Sequence, residues 1–364
     1  MKSLPIYLSL IVILLFTWGC KHTSKKEVKE KQVITDMLGR KLSIPKDIKR
    51  VICLRAGALR MLVYLDASKY AVGIEEGEVR GNRPYIMAHP ELLQLPIIGP
   101  SMGGDAELIA EASPELIFVT YSTVSDADAL QKQTGIPVVA ITCPEFDQQP
   151  DTLFASLLLM GQILGKTARA DSLISYMQQS IDALKARSSG VNNTNKPSVF
   201  VGGISYSGAR GILSTQAAYP PFVFTQANNV AASINKKAIS HIKGTYIDKE
   251  QLMLWNPDLL FIDVSGWQLV QQDIRPSTPL FASLDAVKNN RIYTLFPYNN
   301  YAISYEMVLA NAWFVGKVLY PQQFADITIC EKINEIMQCF LGNNASVSIW
   351  QQTGACKQLS TDSL

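Results

Sequence analysis

Between Asp151 and Arg187 apolar side chains recur every three or four positions, at Leu153, Leu157, Met160 and Leu164 and again at Ile174, Met177, Ile181 and Leu184. That spacing lines one face of a helix. Gly161 and Gly165 interrupt it, which predicts two helices in tandem, with Gly165 as a C-terminal cap and Thr167 as the N-cap of a second helix ending near Arg187. The second would be roughly 30 Å long, about the width of a small domain, and would suit a strut between two lobes. Ser188 to Lys196 is polar and rich in Ser and Asn, as an exposed linker is.

On either side the pattern changes period. Val33 to Pro45 alternates apolar and polar residues around Leu38-Gly39 and predicts a strand pair. Short apolar runs follow at Arg50 to Leu54, Tyr70 to Ile74, Leu116 to Tyr121 and Pro137 to Cys143, with helical patterns at Ala58 to Leu65 and Asp105 to Ala112. The second half repeats this, with strands at Ser198 to Gly202, Leu259 to Val264 and Arg291 to Phe296. Helices are expected there at Phe222 to Asn228, Asp248 to Trp255 and Tyr305 to Leu319. Strands alternating with helices make an α/β lobe with a largely parallel sheet, here twice.

The two halves also echo each other. Glu107 to Phe118 (ELIAEASPELIF) aligns with Glu250 to Phe261 (EQLMLWNPDLLF): a Glu opens a short helix, a Pro follows seven residues later, then an acid and an apolar strand. A helix–Pro–strand connection is common in α/β folds, but it does not require the matching Glu, so the echo favours two lobes of similar architecture.

Ligands of open parallel sheets bind beyond the carboxyl ends of the strands. Those ends carry Arg55-Ala56-Gly57, Tyr121, Tyr206, Trp267 and the run Tyr298-Asn299-Asn300-Tyr301, small residues interleaved with aromatics. Arg80, Arg83 and Arg210 lie in turn-rich segments and could meet anions bidentately. The candidate ligand residues are therefore Arg80, Arg83, Tyr121, Tyr206, Arg210, Trp267, Tyr298, Asn299 and Tyr301.

With 364 residues, 48% of them hydrophobic, the chain is long enough for two cores. A formal charge of +2 points away from nucleic acid and polyanionic partners. Only three histidines occur, His22, His89 and His241, so a three-imidazole metal site cannot be assembled from the folded part. There is no GxSxG, HExxH or phosphate-loop string, and the turn Gly99 to Gly104 lacks the Lys and Ser/Thr of a nucleotide loop. These features favour binding over catalysis, with no catalytic residues, no resident metal and no cofactor expected.

The N-terminus has a Lys, an apolar run from Leu4 to Phe16 and then Gly19-Cys20, which together read as an export signal. A small residue before Cys20 resembles the lipobox of bacterial lipoproteins, with Cys20 as the lipidated residue. Lys21 to Lys31 is charged and aperiodic, a flexible tether. Cys53 and Cys143 end apolar runs and read as buried hydrophobes. Two of Cys330, Cys339 and Cys356 could pair in an exported chain.

Taken together, the opening VITDMLGRKLSIPKDIKRVICL, the YAVGI segment and the paired ELIAEASPELIFV and EQLMLWNPDLLFID resemble the periplasmic substrate-binding lipoproteins of ABC importers for iron-siderophore, haem and cobalamin. The resemblance runs from about Val33 to Leu341. It implies two Rossmann-like α/β lobes joined by a single long helix, moving little relative to one another, with the ligand in the cleft between them. It further implies that Glu107 and Glu250 dock onto arginines of the membrane permease, which works with an ATPase subunit. Three further segments, RPYIMAHPEL, GILSTQAAYPPFVFTQANNVA and YNNYAISYEMVLANAWFVGKVLYP, resemble iron-complex binders.

On this basis residues 1–20 form the signal, 21–32 the tether, 33–150 the N-terminal lobe, 151–189 the connecting helices, 190–341 the C-terminal lobe and 342–364 a tail. The protein is expected in the periplasm, lipid-anchored to a bacterial membrane and monomeric. Its expected cargo is a metal chelate of iron or cobalt, or alternatively an oxyanion such as molybdate or tungstate clamped by Arg80, Arg83 or Arg210. A metal-cluster enzyme or a surface lipoprotein that retains cargo without a permease would be a different use of the same scaffold.

Overall fold

The structure is a computed structural model that describes residues 30–80, 83–205, 208–234, 245–342 and 353–360. The signal, Cys20, most of the tether and Tyr206 lie outside the described residues.

A hairpin opens the described chain, β1 (Lys31–Thr35) pairing antiparallel with β2 (Lys41–Pro45). Gly39 makes the expected turn at φ 79°. Asp36 anchors it: its carboxylate accepts the N–H groups of Leu38 and Arg40 at 3.0 Å each and that of Ala140 at 3.1 Å, and the Arg40 Nε at 2.9 Å. One buried carboxylate thus ties the hairpin to the N-terminal lobe.

That lobe is a parallel sheet of β3 (Val51–Leu54), β4 (Leu116–Val119) and β5 (Val138–Ala140) in this order. All eleven strand positions are buried, which explains why the strands read as continuous apolar runs rather than alternating ones. The run from Tyr70 to Ile74 is not a strand. It begins in a 3-10 turn, Ser68–Tyr70, and makes only single bridges, Val51 to Ala71 and Ile74 to Ile97. Gly73 lies hard against Ile98, where a Cβ would fall 2.4 Å from the isoleucine methyl.

Two helices follow. The first, Pro150–Leu164, ends at Gly165 with φ 66°, as its glycine predicts. The second, Thr167–Ser189, is capped by Lys166 rather than Thr167: the Lys166 carbonyl accepts the Ala170 N–H at 3.0 Å, so Thr167 is already inside the first turn and its hydroxyl caps nothing.

In the C-terminal lobe β6 (Ser198–Gly202) is followed by two short antiparallel partners, β7 (Ser214–Thr215) and β9 (Thr245–Tyr246), and by β8 (Asn228–Asn229). The main sheet is completed by β10 (Leu259–Asp263), β11 (Ile292–Leu295) and β12 (Gln358–Leu359), in the order β12-β11-β10-β6-β8. Two expectations change here. The helix expected over Phe222 to Asn228 is Pro220–Phe224, started by two prolines, and Asn228 belongs to the strand beside β6. The described part of the tail is no tail: Gln358 and Leu359 pair antiparallel with β11, so the lobe extends past Leu341.

The echoed segments do the same work in both lobes. Each helix has an aspartate N-cap two residues before its Glu, Asp105 and Asp248. Ser113 and Asn256, before the matched prolines, both adopt positive φ, 49° and 37°. The matched acids both pin the start of a lobe's first parallel strand. Glu115 accepts the N–H groups of Lys49 and Arg50 at 2.7 and 3.1 Å, and Asp258 accepts the N–H and hydroxyl of Ser198 at 2.8 and 2.7 Å.

Tyr305–Leu319 and Ile329–Leu341 close the fold. The latter returns to the N-terminal lobe, packing on Ala58–Tyr64 and Pro84–Ala88. Phe340 meets the Tyr64 ring edge-on at 5.0 Å, and Leu341 O lies 2.9 Å from His89 Nε2. One apolar core runs through the facing sides of both lobes, with smaller clusters on the outer face of each sheet. The architecture is two α/β lobes around a crevice, held by more than the single connecting helix.

Candidate functional site

The carboxyl ends of β3 and β4 and the segment after β11 meet between the lobes. Four residues there with side chains adopt the left-handed backbone region that disfavours them: Arg55 (φ 67°), Tyr121 (φ 47°), Tyr301 (φ 55°) and Ala302 (φ 65°). Such strain gathers where a loop is shaped for something other than stability. Gly57 shows how closely the lobes approach: a Cβ there would stand 2.9 Å from Cys143 Sγ and 3.0 Å from Ala302 Cβ.

Glu75 organises this region. It is fully buried, and its carboxylate accepts the Arg55 N–H at 2.8 Å, the Gly103 N–H at 2.7 Å and the Tyr301 hydroxyl at 3.0 Å. Burial raises its pKa, and these donors pull it back. One carboxylate therefore shapes the β3 loop, the Gly99–Gly104 turn and the C-terminal lobe's Tyr301 together. Neighbouring Arg83 is also buried, with its guanidinium 4.3 Å over the Tyr301 ring, 3.5 Å from Glu78 and donating to the Gly77 carbonyl.

Below these lies a second buried contact between lobes. Arg60, 1% exposed, donates to Ile303 O at 2.7 Å and Asn300 O at 3.0 Å, and Tyr64 donates to Glu306. These bonds set the position of the Tyr298 to Ile303 segment against the N-terminal lobe.

The sequence candidates separate in the fold. Tyr121 and Tyr301 are in the crevice, and Tyr121 is 54% exposed. The Tyr121 hydroxyl is nevertheless desolvated, and this, reinforced by Cys143 and Glu145, pushes it up to about 12. Tyr298 is 1% exposed, packed against Tyr219, with its hydroxyl on Gln216, so it is a core residue rather than a lining one. Asn299 is half-buried and bridges back to Ile303. Trp267 opens the helix Trp267–Ile274 and packs onto the outer core cluster of its lobe. Arg80 is exposed and paired with Glu76 on the surface, away from the role of a clamp. Arg210 stands 5.9 Å from the Tyr246 ring.

Arg55 is the residue that sequence reasoning placed at a strand end but did not select. It donates to the Tyr121 carbonyl, lies 4.0 Å from Asp126, and keeps a buried Nε without a partner. A guanidinium with an unused donor at the mouth of strained loops can receive an anion. Glu107 and Glu250 are both exposed on first helical turns, one on each lobe.

A family model described as periplasmic binding protein matches residues 51–298. The molybdate-binding protein MolA of Haemophilus influenzae is 24% identical over 330 residues, covering 85% of this chain and 90% of MolA. The structure of MolA bound to molybdate superposes with a TM-score of 0.65 at 23% identity, covering 85% of this chain and 98% of that one. A periplasmic solute-binding protein from Veillonella parvula gives 0.68 at 21% identity, covering 88% and 95%. The petrobactin-binding protein YclQ of Bacillus subtilis gives 0.57 at 18% identity, covering 81% and 99%. The two lobes, the crevice at their strand ends and a family match spanning both lobes agree: the chain belongs to the periplasmic binding protein family.

Proposed function

We propose that the chain is the substrate-binding component of an ABC importer and that its cargo is a compact oxyanion of the molybdate or tungstate kind, held between the lobes and passed to a permease driven by an ATPase. Arg55 carries this reading. Its guanidinium stands at the strained edge of the crevice with an unpartnered Nε, donating elsewhere to the Tyr121 backbone carbonyl. Of two aromatics expected to wrap a bulky ligand, Tyr298 is buried in the core and Trp267, half-buried, packs onto a core cluster. That shifts the lining from rings towards charged donors. The sequence relation to a molybdate-binding protein over most of both chains points the same way. Delivery would come from a protein held near the membrane by a lipid on Cys20, docking through Glu107 and Glu250.

The metal-chelate reading is favoured by one observation, the exposed Tyr121 ring, on which a ligand's organic part can lie. Titration calorimetry with molybdate and with a ferric siderophore, on the wild type, Arg55→Ala and Tyr121→Ala, separates the two. An oxyanion cargo requires molybdate affinity to fall at least tenfold in Arg55→Ala and little in Tyr121→Ala. Siderophore binding lost mainly in Tyr121→Ala would reverse the assignment.

A further inference from the structure

Glu145 belongs to the connection from β5 to the helix Pro150–Leu164. Its backbone is well held: the Pro144 carbonyl accepts the Tyr305 hydroxyl at 3.0 Å, and the Glu145 carbonyl accepts the Gln149 N–H at 3.0 Å. Pro144 and Tyr121 both wall a cavity of about 210 Å³ beside the crevice. Glu145 is near enough to Tyr121, from the N-terminal lobe, and to Tyr305, from the C-terminal lobe, to act on both electrostatically. Its Oε2 is buried and has no hydrogen-bond partner.

The groups around it are Asp147 on the same connection, Tyr121 after β4, Cys143 after β5, Tyr305 on the last long helix pair and, behind Tyr305, Arg60. Arg60 is tied to the carbonyls of Asn300 and Ile303. None of these hydrogen-bonds Oε2. Negative charge is disfavoured with Oε2 buried and lacking a donor, whereas a neutral carboxyl offers an O–H to a partner that can accept it.

We propose that Glu145 binds cargo as a neutral carboxyl, donating its O–H to an oxygen of the anion, so that one proton from solvent is taken up with the cargo and returned on release. This deepens the anionic-cargo reading and rests on it. Burial, reinforced by Asp147, pushes the carboxyl up to about 7, so the proton is at hand near neutral pH. The sign follows from linkage: affinity is full below that pH and falls as pH rises through it, by about tenfold per unit.

Calorimetry with molybdate, which stays a dianion over this range, is run between about pH 6 and pH 8.5 in two buffers of different ionisation enthalpy. The wild type should lose about tenfold or more in affinity across the range and take up about one proton per molybdate at the alkaline end. Glu145→Gln, neutral at every pH and still a donor, should bind with a flat profile and no proton uptake. Molybdate binding by the wild type with neither slope nor proton uptake overturns the proposal, as does a slope retained in Glu145→Gln. If only a ferric siderophore binds, the same proton count is made with it: the oxyanion reading falls and the role of Glu145 is decided separately. Binding of neither at pH 6 removes the anionic-cargo reading and this proposal with it.

Discussion

Asp263 ends β10 with its carboxyl fully buried, where Oδ1 accepts the Ser265 N–H at 2.9 Å and its hydroxyl at 2.5 Å. Burial outweighs those two bonds and pushes the group up to about 7. In the unfolded chain it titrates near 4, roughly. The folded state therefore holds the proton more tightly, and the associated stability is complete below about pH 4 and lost as pH rises through 7. Asp263→Asn should stabilise the protein at pH 8, by at most about 4 kcal/mol, and lose that advantage near pH 4. Thermal melts of both proteins across the range check the slope. At this scale the sequence was a partial guide. Tyr121 and Tyr301 were legible because they follow apolar runs, but Tyr298 has the same sequence signature and is buried. Arg83 read as an anion clamp in a turn-rich segment, and it lies buried against Tyr301 and Glu78. Burial depends on what the other lobe brings to each residue, and a strand end does not encode that. Positive φ at Arg55 and Tyr121 has no compositional mark either.

Helices and strands were read more faithfully, because periodicity is local. The tandem helices and Gly165 appear where the apolar stripe and the glycine put them. The failures include short elements, since Tyr70 to Ile74 has an apolar run's composition but only single bridges and Asn228 joins a strand of two residues, and also two longer helices that the reading did not single out, Val124–Thr134 and Ile329–Leu341. A close approach of another kind lies in Tyr305–Leu319, whose sequence is that of an ordinary apolar helix. Its Gly316 lies under the buried Phe324 ring, where a Cβ would stand 2.4 Å from the ring carbon Cζ. Gly316→Ala would gain helix propensity, yet the ring cannot give way within a packed core. A net loss of about 1 to 3 kcal/mol is expected, measurable as a lowered urea midpoint at unchanged slope.

For the whole molecule, the echo proved the strongest sequence signal, and it reached further than the two glutamates that revealed it. Asp105 and Asp248 cap the paired helices, and Glu115 and Asp258 pin the paired strands. The glutamates themselves have exposed positions on opposite lobes and so remain available for docking. The double variant Glu107→Ala, Glu250→Ala should bind cargo as the wild type does and yet fail in uptake by cells. Normal uptake would remove the docking proposal. Because the apolar core is continuous across both lobes and Arg60 clips them together, cargo entry is expected to involve small shifts rather than a wide hinge opening.

The strand contributed by Gln358 and Leu359 has a consequence for solubility. Without it, β11 would be the open margin of the sheet, offering the unpaired backbone of a largely buried apolar strand to any chain able to lie beside it. A few residues near the C-terminus thus act as a selvedge, the woven border that keeps a cloth from catching on its neighbour. They keep β11 from pairing with other copies of the chain.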